Sequence, residues 1–309
     1  MSETKNYDIA ILGAGPAGMT AGLYAGRGGL KAVIIEKMMP GGLVANTEKI
    51  DNYPGFPEGI SGFELAQKME QQAKKFGAEI ISAQAEAVVP EDRYQLIKLS
   101  DGTIIKSKAL IIATGAFPKT LGVRGEKELL GKGVSYCAIC DGAFFKNQAV
   151  AVLGGGDSAV QEAVYLAGLA SKVTVIHRRN VLRAADSIQK VAFANDKITF
   201  AWNKEILDIE GSAGVTGIKV MDKQTLAEEV IPVTGAFIYV GYKPSSDLVK
   251  DILKTDEQGY IITDDRMATS VPGIYACGDV RQKLVRQVSS AVGDGATAAI
   301  AAQQYLEFK

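Results

Sequence analysis

The chain has 309 residues, enough for more than one hydrophobic core. It is 47% hydrophobic and 22% charged with a net charge of −1, which argues against a polyanion or an anionic membrane surface as partner. Three cysteines and one histidine, His177, give no disulfide scaffold and nearly exclude a His-rich metal site.

The polar start shows no apolar stretch behind a basic segment, so no signal peptide is expected. No apolar run reaches the roughly 18 residues of a membrane span, and a cytoplasmic, reducing compartment is the expectation. Asp8-Ile9-Ala10-Ile11-Leu12 predicts an apolar strand. Gly13-Ala14-Gly15-Pro16-Ala17-Gly18 follows, then a helical run to about Arg27 and a second strand, Ala32 to Ile35, ending in Glu36. Ala109 to Pro118 reads as a buried strand leaving through Gly115 and Pro118.

The layout then repeats. Strand Ala149 to Leu153 leads into Gly154-Gly155-Gly156-Asp157-Ser158-Ala159, a helical run to about Ala167, and strand Lys172 to Ile176 ending in His177-Arg178-Arg179. An interval of 23 residues separates Gly13 from Glu36, and the same interval separates Gly154 from His177. Each segment is a βαβ dinucleotide fingerprint. The first glycine makes the turn, the second admits a pyrophosphate to the helix N-terminus, and the third small residue lets helix pack on strand. Ala236 to Pro244 repeats the exit strand, with Gly241 and Pro244 as its punctuation. The second unit is therefore expected as an insertion, residues 118–244, in a first domain made of 1–117 and 245–309. The chain re-enters the first domain at Gly273 to Asp279 and closes it with an alanine-rich helix from about Val285 to Leu306.

Strand-end chemistry assigns the nucleotides. Glu36 can accept hydrogen bonds from ribose hydroxyls, which suits FAD. Arg178 and Arg179, with Arg183 nearby and no carboxylate, suit the 2′-phosphate of NADPH. Asp279 occupies a strand-end position that in flavoproteins commonly bonds the ribityl chain, and it can at the same time cap the segment that follows.

Between the two fingerprints lies Cys137-Ala138-Ile139-Cys140-Asp141. Zinc would need about four ligands, and only Cys277 and His177 remain among the usual soft ones. A reversible disulfide is the better reading, because a reduced flavin delivers two electrons and a disulfide accepts two. Asp141 can move the accompanying proton or serve as a turn residue before Gly142. Cys277 reads as a small buried side chain.

Taken together these residues resemble the low-molecular-weight thioredoxin reductases, end to end. The resemblance is carried by Gly13 to Gly18, Gly41-Gly42, Asp51-Asn52-Tyr53-Pro54-Gly55, Ala113-Thr114-Gly115 and Cys137 to Gly142. Gly154 to Ala159, His177-Arg178-Arg179 with Arg183, Gly278-Asp279 and Arg286-Gln287-Val288 complete it. It implies an α/β fold of two doubly wound dinucleotide-binding domains, with the NADPH domain inserted in the FAD domain, in a homodimer. It places FAD at Gly13, Gly15, Pro16, Ala17, Gly18, Glu36, Lys37, Gly41, Gly42, Leu43, Asn46, Thr47, Asn52, Ala113, Thr114, Gly115, Gly278, Asp279, Arg286, Gln287 and Val288. It places NADPH at Gly154, Gly155, Gly156, Asp157, Ser158, Ala159, His177, Arg178, Arg179, Arg183 and Gly241. The catalytic residues it implies are Cys140 nearest the flavin, Cys137 as the thiol that attacks the thioredoxin disulfide, and Asp141 as acid and base. Rotation of the inserted domain about its two connections would alternate the donor and the disulfide at the flavin.

Ile139 and Leu43 depart from the family pattern, where threonine and glutamine are usual. Related readings are the flavoprotein subunit of alkyl hydroperoxide reductase, expected to carry an N-terminal extension ahead of the fingerprint, and the ferredoxin–NADP reductase of similar fold, which lacks the cysteine pair. A non-turnover flavin redox sensor would not need the basic 2′-phosphate site.

Overall fold

In the computed structural model of the chain, residues 3–47, 50 and 52–307 are described, the side chains of Ile139 and Cys140 excepted. Asp51, one of the residues carrying the family resemblance, lies outside them. The chain divides into two units, Met1–Phe117 with Lys243–Lys309, and Pro118–Tyr242.

The chain opens with β1 (Thr4–Leu12), α1 (Pro16–Arg27), β2 (Ala32–Glu36), α2 (Gly62–Lys75) and β3 (Glu79–Ser82). It continues through β4 (Ala85–Pro90), β5 (Gln95–Leu99), β6 (Ile104–Ile112) and β7 (Ala116–Pro118). Next come β8 (Val134–Ser135), α3 (Ala138–Asp141), β9 (Ala149–Gly154), α4 (Asp157–Ala167) and β10 (Lys172–Ile176). These are followed by α5 (Asp186–Phe193), β11 (Ile198–Ala201), β12 (Lys204–Gly211), β13 (Val215–Asp222), β14 (Glu228–Pro232) and β15 (Gly235–Tyr239). The chain returns through β16 (Tyr242–Pro244), β17 (Ile274–Ala276) and α6 (Val288–Glu307).

In the first unit the sheet order is β3-β2-β1-β6-β5-β4, with β17 also paired to β6. The strands β1, β2, β3, β6 and β17 run parallel, whereas β4 and β5 are antiparallel additions. Layers cover both faces of the parallel part, so its strands are continuous apolar runs instead of alternating ones. Pro16 opens α1, where its missing N–H is no loss. The alanines of α6 let it lie close on α1, and a Cβ on Gly295 would run into the Ala17 carbonyl.

The second unit repeats the parallel arrangement in the order β11-β10-β9-β15-β8 and adds the antiparallel layer β12-β13-β14. In both units the fingerprint strand lies between its two parallel neighbours, β1 between β2 and β6, and β9 between β10 and β15. Both exit strands are shorter than the sequence suggests. The run ending at Pro118 breaks after Ile112 and turns at Gly115 (φ 70°), and the run ending at Pro244 turns at Gly241 (φ 112°). Only glycine takes these left-handed values without strain, and the pieces beyond them, β7 and β16, pair with each other.

Candidate active site: two nucleotide cradles and a redox turn

The first cradle forms where β1 meets α1. Gly13 (φ 104°) has no room for a Cβ, which would strike the Ala113 carbonyl, and a Cβ on Gly18 would strike the Gly13 carbonyl. Gly15 differs: a Cβ there would meet nothing, so the backbone at the helix start faces open space. That is the space a pyrophosphate needs. The Gly41 N–H donates to the Ala14 carbonyl at 2.8 Å, and Gly42 lies against Gly15, which brings the Gly41-Gly42 loop onto the same cradle. Leu43 and Asn46 lie in the short helical turn that follows, and Thr47 caps it by donating its N–H to the Val44 carbonyl at 3.0 Å.

Glu36 is already engaged: its two oxygens accept the N–H groups of Ala14 at 2.8 Å and Met38 at 2.9 Å. Each oxygen retains a lone pair, so the carboxylate can pin the loop and still accept a ribose hydroxyl. Lys37 stacks its ammonium over the Phe117 ring at 4.9 Å. The Thr114 hydroxyl donates to the Ser245 carbonyl at 2.7 Å, which makes it a bolt between the outgoing and returning chain. Asn52 donates to Gln287 at 3.1 Å, joining two predicted residues 235 positions apart. Arg286 lies 3.9 Å over the Tyr260 ring with its Nε buried and unpartnered, and Val288 begins α6. Asp279 has a buried, unpartnered Oδ1. Burial raises its carboxyl above the usual range, opposed by Lys283 and Arg286 and aided by Asp294. Open space over Gly15 and unpartnered polar atoms on Asp279 and Arg286 fit a large polar cofactor such as FAD.

The second cradle repeats this logic. A Cβ on Gly154 would strike the Tyr239 carbonyl, a Cβ on Gly155 would strike the His177 ring, and one on Gly156 would meet nothing. Asp157 accepts the Ala185 N–H at 2.7 Å, while the Arg183 N–H donates to the Gly155 carbonyl at 2.7 Å. Those two bonds lay the basic loop across the fingerprint. Arg178, Arg179 and Arg183 are exposed. His177 is not: it is 5% exposed with Nε2 unpartnered. Burial, reinforced by the three arginines, depresses its basicity below the ordinary histidine value. The strand-end histidine thus serves as a neutral floor under Gly155, and the cationic surface is arginine alone. Ser158 and Ala159 begin α4, with Ala159 buried against the core, and Gly241 sits at the exit crossing.

The redox turn is in the second unit. Cys137 is disulfide-bonded. The Cys140 side chain lies outside the described residues. Two hydroxyls hold the start of the turn: Ser135 accepts the Cys137 N–H at 3.0 Å, and Tyr239 accepts the Ala138 N–H at 2.7 Å. Asp141 is half-buried, and its N–H returns to the Cys137 carbonyl at 3.2 Å. Beside it a cleft of about 270 Å³ is lined by Ser135, Asp141 and Phe144, among others, and Phe144 is 76% exposed. The larger cleft, about 780 Å³ between α4 and α5, contains none of the predicted residues. Cys277 is free and fully buried, and burial pushes its thiol well up, so it is inert.

Sequence reading did not single out Ser135, Glu162, Tyr239, Lys283 or Asp294. Glu162, on α4, has a buried Oε2 without a partner, and burial pushes its carboxyl up to about 7. An acidic residue inside the alanine-rich stretch of α6 was a usable signal for Asp294, whereas the others depend on contacts far along the chain. Among the described residues no group of three or more potential ligands could hold a metal ion, and no helix is long and apolar enough to cross a membrane.

Known proteins share this arrangement. The chain is 50% identical over 308 residues to the thioredoxin reductase of Bacillus subtilis, covering 99% of this chain and 97% of that one. It is 48% identical to the enzyme of that name from Listeria monocytogenes, covering 99% and 96%. The crystal structure of Lactococcus lactis thioredoxin reductase superposes with a TM-score of 0.93 at 44% identity, covering 98% of this chain and all of that one. A family model described as pyridine nucleotide-disulphide oxidoreductase matches residues 7–295, a span that contains both cradles and the redox turn. With a dinucleotide fold in each unit, a disulfide in the second and this match across nearly its whole length, the chain belongs to the pyridine nucleotide-disulphide oxidoreductase family.

Proposed function

We infer that the chain is a thioredoxin reductase: it passes two electrons from NADPH, by way of FAD, to the Cys137–Cys140 pair and on to a thioredoxin disulfide. The observation that carries this reading is a physical tie within the second unit. Tyr239 ends β15, pairs in register with Gly154 of the fingerprint, and reaches its hydroxyl to the redox turn at Ala138. One strand therefore braces both the dinucleotide cradle and the disulfide.

In this reading the first unit holds FAD, with Gly15 open to the pyrophosphate, Glu36 at the ribose and Asp279 at the ribityl hydroxyls. The second unit holds NADPH, with Gly156 open to the pyrophosphate and Arg178, Arg179 and Arg183 forking the 2′-phosphate. When bound, FAD supplies two-electron chemistry between hydride donor and disulfide. Reduction of the pair leaves Cys137 as the outer thiol. As a thiolate it attacks the partner disulfide, one partner sulfur leaves as thiolate, and a mixed disulfide forms. Cys140 then attacks the Cys137 sulfur, which releases the reduced partner and restores the internal disulfide. Asp141 accepts and returns the thiol proton. Gly115 and Gly241, both at positive φ on the crossings, are the candidate hinges for bringing each reactant to the flavin in turn. The proposal includes a homodimer working in a reducing cytoplasm.

The test is NADPH oxidation coupled to reduction of a thioredoxin disulfide. The parent protein should reduce thioredoxin. Cys137→Ser should let NADPH bleach the flavin yet leave thioredoxin oxidised, whereas Cys140→Ser should trap a mixed disulfide through Cys137. Colourless protein that takes up no FAD, or trapping through the other cysteine, would overturn the assignment.

A further inference from the structure

Beneath the Gly278–Asp279 turn lies a buried set of charges that the reaction itself does not use. Asp294, on α6, accepts the Gly278 N–H at 3.1 Å and receives Arg281 at 3.3 Å and Lys283 at 3.0 Å. Arg281 is held by a second bond, from its Nε to the Thr263 hydroxyl at 2.8 Å. Lys283 is held by Ser290, to which its ammonium donates at 3.1 Å. The side chain of Lys283 is only 7% exposed, unusual for a lysine, and its ammonium also faces Asp279 Oδ1 at 3.7 Å. That distance is an ion pair and not a hydrogen bond, so Oδ1 stays without a donor.

We propose that Lys283, anchored by Asp294 and Ser290, is a positioning residue that keeps Asp279 ionised and aimed so that it can accept hydroxyl groups of the flavin's ribityl chain. The proposal rests on reading the first unit as the FAD site. Asp279 is half-buried with its Oδ1 buried, and a carboxylate so placed with no cation close by is pushed toward its protonated form. The charges acting on Asp279 are Lys283 and Arg286, which favour the ionised form, and Asp294, which opposes it. From α1, Ala17 lies against Gly278 and carries no charge. Arg286 lies over the Tyr260 ring, whereas Lys283 is within ion-pair distance of Asp279. Its ammonium lies between the two carboxylates, tied to one and free to pair with the other.

The experiment is FAD titration into the full-length protein stripped of its flavin, followed by flavin fluorescence, between about pH 6 and pH 8. Lys283→Met should weaken FAD binding by about tenfold, because it strips the half-buried Asp279 carboxylate of its counter-charge. The loss should deepen as pH falls: without the cation Asp279 protonates at a higher pH, and binding that needs the carboxylate is lost as pH falls through that value. Lys283→Arg should restore a flat pH profile. Lys283→Gln, which can still bond Ser290 and Asp294, should show the same acid-side loss and serves where the methionine variant fails to fold. Parental affinity in both neutral variants, or a loss equal at every pH, would overturn the proposal. Should Asp279→Asn weaken binding while Lys283→Gln does not, the FAD reading stands and this inference falls. A parent protein that takes up no FAD overturns both.

Discussion

Arg178 and Arg179 leave β10 with exposed guanidinium groups and no carboxylate at the strand end to compete for a 2′-hydroxyl. Each should give a charge-assisted hydrogen bond to a 2′-phosphate, worth about 1.5–3 kcal/mol. Replacing both with alanine should raise the NADPH Michaelis constant roughly a hundredfold or more, since about 1.4 kcal/mol is a factor of ten, and leave NADH kinetics nearly unchanged. Steady-state kinetics with both coenzymes check this, and an undiminished preference for NADPH would refute it. Glu162 makes a different prediction. Its folded carboxyl titrates at about 7 against an ordinary value of 4.5, because it is buried. Over that window the folded chain holds a proton that the unfolded chain has lost, so Glu162 makes stability fall as pH rises from about 4.5 through about 7. Glu162→Gln should therefore stabilise the protein near pH 8 by up to about 3 kcal/mol, with the gain vanishing near pH 4. Melting temperatures across pH measure it, and a gain independent of pH would point to packing instead. The arginines were legible in the sequence because their position relative to a glycine fingerprint gives them meaning. Glu162 was not, because only the fold tells which side of α4 is covered. His177 was half legible: its place at the strand end was clear, but its burial under Gly155 follows from a glycine that leaves room for the ring.

Within the fingerprint turns, the glycines divide into those that the fold requires and those that a ligand requires. Gly18 packs against the Gly13 backbone, so Gly18→Ala should cost the unbound protein about 1–3 kcal/mol through overpacking. Gly15 has an ordinary extended backbone (φ −77°) and open space where a Cβ would stand, so Gly15→Ala should melt like the parent without ligand yet hold FAD more weakly. Thermal melts of flavin-free protein and flavin content after purification separate the two effects, and equal behaviour of both variants would refute the division. Both βαβ units could be seen in the sequence, since apolar runs, glycine spacing and helix length all agree. The redox turn was legible as a motif, while its supports were not: Ser135 is local but unremarkable, and Tyr239 reaches Ala138 across 101 positions. The exit strands were overextended in the sequence reading because glycine inside an apolar run looks like a weak strand residue, whereas at Gly115 and Gly241 it turns the chain.

At the scale of the whole chain, each unit closes its own ends. In the first, the Ser245 N–H bonds the Gly115 carbonyl at 2.9 Å; in the second, the Lys119 N–H bonds the Gly241 carbonyl at 2.8 Å. Residues 118–242 expressed alone should accordingly fold cooperatively and bind NADPH, as checked by circular dichroism and calorimetric titration; an unfolded product would refute it. The same adjacency couples the two units under heat. If the inserted unit melts first, its host must hold together the ends of a loose loop running from residue 118 to 242. Closing a loop of that length costs on the order of 4 kcal/mol in chain entropy. If the host melts first, the unfolded insert is freed from that closure, and the insert loses the same stabilisation. The coupling is therefore mutual: each unit should melt at a lower temperature once the other has unfolded, so a cavity that makes either unit melt first lowers the melting of the other.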